Sequence, residues 1–153
     1  MSFPWFQLLG SLALIMALAV PAAAGPLTGG DIAAAVAAIR TDTPTPAQKK
    51  VVDLVLHTML REHYKKLGIT ESRATPQIQA QLNQASRLTL MTVAAMTTHD
   101  PATARQFSLE DLMAISGVVM RKIRDMKIIP EKLQDQRFLV DAFIPEVIEE
   151  LAK

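Results

Sequence analysis

Asp53, His57 and Arg61 recur at i, i+4 and i+8, the spacing that places three side chains on one face of a helix. A carboxylate beside an imidazole can orient it as a general base. No nucleophile or acid completes such a site, so the three read as surface residues. His57 and His63 are six residues apart, about 120° round a helix, too divergent to hold one metal ion without distortion. His63 and Met59 stand at i and i+4, and Met91, Met96 and His99 form a second set. Thioethers of this kind select copper(I). Most of the Met nevertheless fall on apolar helical stripes, where Met is an adaptable filler. The expectation is therefore no metal, no cofactor and no catalytic residue, with the binding residues left open. GxSxG, HExxH, a Gly-rich phosphate loop and a paired-carboxylate signature are all missing from the sequence, so no enzyme is expected.

Glu146, Glu149 and Glu150 form an acidic patch, and Arg121 to Lys127 a basic one. Each could dock a charged partner. The basic residues lie where a helix C-terminus favours cations, which makes helix-end electrostatics the simpler reading. The chain carries 16 Lys and Arg against 15 Asp and Glu, a net charge of +1. That is too balanced to argue for nucleic acid or a strongly anionic partner. With no Cys, thiol catalysis, iron–sulfur clusters and thiolate zinc sites are excluded.

The first 24 residues give the address. Leu8 to Val20 is almost unbroken apolar sequence, Pro21 breaks the helix, and Ala22-Ala23-Ala24 supplies the small residues of a processing site. The expectation is a bacterial signal peptide cut between Ala24 and Gly25, leaving 129 residues, enough for one core. No Cys follows the run to carry a lipid. An alternative is a retained anchor. Phe3 to Ala24 is 22 residues long, no Lys or Arg precedes it, and Trp5 suits a membrane interface. In an oxidising compartment disulfides would be available, yet this chain must be held by packing alone.

Helix signals then run from end to end. Asp31 is positioned to cap a short helix with Ile32, Val36 and Ile39 on one face. The Thr/Pro run 41–46 interrupts it. Thr45, Pro46 and Gln48 form a capping box before a stripe of Val51, Val52, Val55, Leu56, Met59, Leu60, Tyr64 and Leu67, which Gly68 ends. Thr75-Pro76 repeats the device for a helix over 76–98 whose only charge is Arg87. A surface helix normally carries several charges. Gln77, Gln79, Gln81, Asn83, Gln84, Thr89 and Thr92 imply a central helix, either enclosed or with one side open as a groove for an apolar or peptide ligand.

Asp100-Pro101 opens a short turn to Gln106. Ser108 and Asp111 form another capping box, with Phe107 and Leu112 at the positions of a hydrophobic staple. Leu109, Leu112, Met113, Ser116, Val119, Met120 and Ile123 make that helix's buried face, and Gly117 suggests a close helix crossing. Pro130 begins the last part, where Pro145 should kink or split the helix. Phe107-Ser108-Leu109-Glu110-Asp111-Leu112 is loosely similar to a phrase in one family of exported bacterial proteins of unknown function. That family continues with an aromatic-rich stretch, whereas Met113 to Met120 has no ring. The similarity covers six residues and implies no activity.

The reading is an all-α chain: a signal peptide (1–24), a short helix and Thr/Pro linker (25–44), and a compact bundle (45–153), with four to six helices in all. The expected role is that of a monomeric or weakly oligomeric periplasmic binding or accessory module. Its partner would be a protein segment or a small apolar ligand. The alternatives are a membrane-anchored assembly protein that keeps residues 3–24, and weak copper handling through Met and His.

Overall fold

In the computed structural model residues 27–153 are described; the signal peptide expected at 1–24 lies outside them. Four hydroxyl residues start the four long helices. Thr28, Thr45, Thr75 and Ser108 each accept the backbone N–H three residues on, at 3.1 Å. Asp31, Gln48 and Asp111 return the bond to the cap backbone, closing three capping boxes. The helices are α1 (Gly29–Ile39), α2 (Pro46–Leu67), α3 (Pro76–Met96) and α4 (Leu109–Asp125). Asp135 caps the short α5 (Gln136–Phe138), and α6 (Ile144–Leu151) completes the fold. Among the described residues there is no strand. The fold is all-α.

Two boundaries differ from the sequence reading. Thr28, not Asp31, is the first cap, because Gly29 and Gly30 are already helical and put Asp31 in the returning position. The third helix ends at Met96 with Thr97 as its cap, short of Thr98. Gly68 does end α2, in the left-handed region at φ 69. There it lets the Ile69 N–H return to the Tyr64 carbonyl at 3.1 Å. Pro145 stands in the first turn of α6, and the chain changes helix type just before it. A π-helical turn at Leu139–Phe143 precedes it, and Phe143 and Ile144 keep right-handed helical angles. Widening the turn absorbs the donor that Pro lacks.

The core is organised around α1. Every residue from Ile32 to Ala38 is buried, so the helix has no wet face and must be surrounded. It packs against α2, α3 and the 3₁₀ segment Pro101–Gln106. The helix before the Thr/Pro run thus belongs to the same core as those after it. α3 touches α1, α2, α4 and α6, and Phe143 is the largest fully buried side chain. A smaller cluster of Leu60, Tyr64 and Leu82, flanked by Ile69, Ile78 and Met120, closes the other end of the α2–α3–α4 stack. Leu67, assigned to the α2 stripe from sequence, is instead 57% exposed, because the helix has run past its neighbours there.

The close approach anticipated at Gly117 occurs elsewhere. Gly117 is exposed, and a Cβ on it would meet nothing within 4 Å. A Cβ on Gly29 would stand 1.9 Å from the Arg105 carbonyl oxygen. Ala at the two positions should therefore act in opposite directions. Gly117→Ala should stabilise by about 1 kcal/mol through helix propensity. Gly29→Ala should destabilise by about 1–3 kcal/mol through overpacking. Urea unfolding of both variants checks the pair, and equal shifts would contradict the packing described.

Candidate functional site

Chemistry needs polar side chains held in place, and α3 buries several. Ser86, Thr89, Thr92 and Thr97 lie inside the fold and donate to the carbonyls of Leu82, Ala85, Leu88 and Val93, at 2.9, 2.8, 2.7 and 2.8 Å. Each hydroxyl is satisfied within its own helix and needs no outside partner. The amides behave differently: Gln77, Gln81 and Asn83 are exposed, and Gln79 and Gln84 are half-buried. The uncharged helix thus divides into a buried hydroxyl face and a solvent-facing amide face.

One buried polar contact joins two helices. His63 Nε2 on α2 lies 3.0 Å from Ser116 Oγ on α4, with the residues 5% and 0% exposed. Each sits on a stripe that the apolar spacing turns inward. Burial pushes the His63 imidazolium below the ordinary histidine value, Lys66 adds to the effect, and Glu62 opposes it. A serine beside a histidine is half of a nucleophile–base arrangement, but here solvent hardly reaches either group. Beside it on α2, the Tyr64 hydroxyl is buried without a hydrogen-bond partner among the described residues. At the other end of the core, Arg40 Nη2 donates to the Ala94 carbonyl and, at 3.1 Å, to Thr98 Oγ1. A cation there suits the negative end of α3, and burial lowers its pKa.

Asp53, His57 and Arg61 do share one exposed face of α2, but no hydrogen bond or ion pair joins them. Of the soft-ligand pair, Met59 is fully buried and His63 has its Nε2 against Ser116. Met91 is half-buried, while Met96 and His99 are exposed. Among the described residues no group of three or more His, Asp or Glu is placed to hold a metal ion.

The acidic and basic patches meet. Lys122 lies 3.5 Å from Glu146 and 3.3 Å from Glu150, and Arg121 lies 3.5 Å from Glu150. These contacts tie α4 to α6. Hydrogen bonds from Lys153 and then Lys122 hold the Glu150 carboxyl below the usual range. Only Glu149 of the acidic trio stays outside the network. Sequence reasoning missed the pairing of His63 with Ser116 and of Lys122 with Glu150. Ser116 falls on a predicted buried face and Lys122 and Glu150 in predicted charged patches, whereas His63 reads from sequence only as a soft-ligand neighbour of Met59, and neither contact between helices was legible. No protein family, no curated protein and no solved structure matches the chain.

The His63–Ser116 contact has a pH signature. The folded-state pKa lies below the unfolded value of 6.5, so the unfolded chain takes up the proton first as pH falls. Stability should be full above pH 6.5 and decline below it, until the folded-state pKa is passed. Urea midpoints between neutral and mildly acid pH test this. The decline should shrink in His63→Gln, and an unchanged acid slope would assign it to other groups. Ser116→Ala should cost about 1–3 kcal/mol, because it strips a buried imidazole of its partner.

Proposed function

We propose that the protein is exported and works as a non-enzymatic binding or accessory module of the bacterial envelope, in the periplasm. The observation that carries this reading is the sequence of residues 1–24: an apolar run, Pro21, and three alanines before Gly25. The arrangement of polar groups fits it. The buried hydroxyls of α3 are satisfied internally, the His63–Ser116 pair is shielded, and the Asp53 face is open but unorganised. A binding role has apolar surface available. Met126 and Ile129 are 39% and 60% exposed on the turn after α4, where Lys127 adopts a left-handed φ of 54. The partner in this reading is a protein segment or a small apolar ligand.

A second reading keeps residues 3–24 as an anchor, with the bundle as an assembly head. It is favoured by the 22-residue length of Phe3–Ala24 and by the lack of Lys or Arg before it. No described helix is long and apolar enough to cross a membrane.

Native mass spectrometry of the protein, gently purified from its host envelope, separates the two readings. The expected species begins at Gly25 and carries an added mass from a ligand or partner. A bare chain beginning at Gly25 would leave transient protein contact as the binding mode. A chain that keeps residues 1–24 would overturn cleavage and favour the anchor.

A further inference from the structure

Packing along α2 changes between Met59 and Leu60. Val51, Val55, Leu56 and Met59 belong to the main core around α1, whereas Leu60 and Tyr64 join Leu82 in a cluster of their own. Ile69, Ala74 and Met120 border that cluster, and of these only Met120 also packs against the main core. The connection from α2 to α3 rests on the cluster through Ile69 and Ala74, while Thr70, Glu71, Ser72 and Arg73 are exposed. Its backbone hydrogen bonds are local. The Ile69 N–H reaches back to Tyr64 at 3.1 Å, and those of Arg73 and Ala74 reach Thr70 and Glu71 at 3.0 and 3.2 Å. Neither Glu71 nor Arg73 makes an ion pair among the described residues. Apolar contact is what holds residues 68–74 against the bundle.

Two polar groups make this end easier to open than its apolar area implies. The Tyr64 hydroxyl is buried with no hydrogen-bond partner among the described residues, and opening lets water supply one. His63 gains a charge in acid, which is costly where the residue is 5% exposed. Little around the ring offsets that charge. From α4 only Ser116 bonds to it, at 3.0 Å, and Leu112, Met113, Val119 and Met120, within a turn of Ser116, are apolar. α3 carries one charge, the exposed Arg87, and α1 carries one, Asp31 in its first turn. The charges that act on His63 stand on α2 itself: Lys66 opposes its protonation and Glu62 favours it.

We propose that residues 60–74 form a flap that mild acid releases, exposing Leu60, Tyr64, Leu82 and Met120 while α1 stays enclosed. Release is local because the apolar contacts of the flap are separate from those of the main core. Its direction follows from His63. The open form takes up a proton near the ordinary value of 6.5, and burial opposes that uptake in the closed form. Opening is therefore least favoured above pH 6.5 and gains as pH falls below it. With the closed form neutral throughout, the gain between pH 7 and pH 5 reaches its ceiling of about twenty-fivefold. The flap adds a regulated apolar surface to the bundle, and the inference is independent of whether residues 1–24 are cleaved.

Amide hydrogen exchange of the full chain, read by mass spectrometry and corrected for the intrinsic effect of pH on exchange, tests the proposal. At pH 7 the helical amides of residues 60–67 should be less protected than those of α1. Low urea should change their exchange little, because a local opening exposes little surface, whereas α1 amides should respond steeply. At pH 5 the opening of residues 60–67 should rise toward about twenty-fivefold in the parent. It should rise equally in His57→Gln, which removes an exposed imidazole from the same helix. In His63→Gln the rise should vanish. Residues 60–67 that share the protection and urea response of α1 would overturn the flap, and that comparison needs only the parent chain. An acid response as large in His63→Gln as in the parent would also overturn the proposal, since His63 would not be the group that releases the flap.

Discussion

The fold depends on one helix that cannot face water. Over Ile32–Ala38, α1 is buried on every side, and five of those seven residues are alanine. Alanine gives up no side-chain rotamers on burial, and its small volume lets neighbouring backbones come near. What it contributes in apolar area is modest, so the enclosing surfaces must fit closely. They do so on three sides: α2, α3 and the 3₁₀ segment Pro101–Gln106. The segment approaches so closely that Gly29 has no room for a Cβ. Arg40, just past the end of α1, then fastens onto the last turn of α3 through Ala94 and Thr98. With no Cys in the chain, this enclosure takes the place of a covalent tie.

Features carried by local chemistry were legible before the structure. The boxes Thr45/Gln48 and Ser108/Asp111, the Thr75 cap and the Gly68 stop need only residues within one turn of each other. The burial of α1 was less legible. Ile32, Val36 and Ile39 define one face by spacing, whereas alanines are neutral in such a pattern and conceal that the other faces are buried too. The same limit applies to α3. Its lack of charge pointed to a central helix, but not to which polar residues turn inward. Hydroxyls can bond the carbonyl four residues back, so Ser86, Thr89 and Thr92 are buried while the longer amides of Gln77 and Gln81 stay outside. At Pro145 the sequence gives a missing donor without saying how the chain absorbs it, and the π turn is one of several possible answers.

Contacts between distant residues were the least legible part of the candidate site. Ser116 and His63 are 53 residues apart; Ser116 alone reads as a small member of a buried face, and His63 as a soft-ligand neighbour of Met59. Together they form a directional link between α2 and α4 inside a core that otherwise supplies non-directional packing. An apolar interface tolerates small sliding, whereas a buried imidazole that loses its hydroxyl partner is left with an unsatisfied polar atom. The pair therefore favours one register of α2 against α4 over its neighbours. That role needs no reactive chemistry and accounts for a buried Ser–His contact with almost no access to solvent.

The charges complete the contrast between the two sides of the protein. Lys122, Glu146 and Glu150 are drawn from separate helices into one network, and the α4–α6 contact both creates and uses it. Exposed ion pairs of this kind add little stability, but they neutralise that surface. On α2 no cation makes such a contact among the described residues, and the nearest carboxylates in sequence, Asp53 and Glu62, stand three or four residues from four of its five cations. Folding needs only the inner face of α2, which covers α1 and carries His63 toward Ser116. The outer face could have carried any helix-forming polar residues. It carries two lysines near the N-terminal end, where the dipole disfavours cations, and two in the last turn, where it favours them, so the dipole neither requires nor forbids the composition of this face.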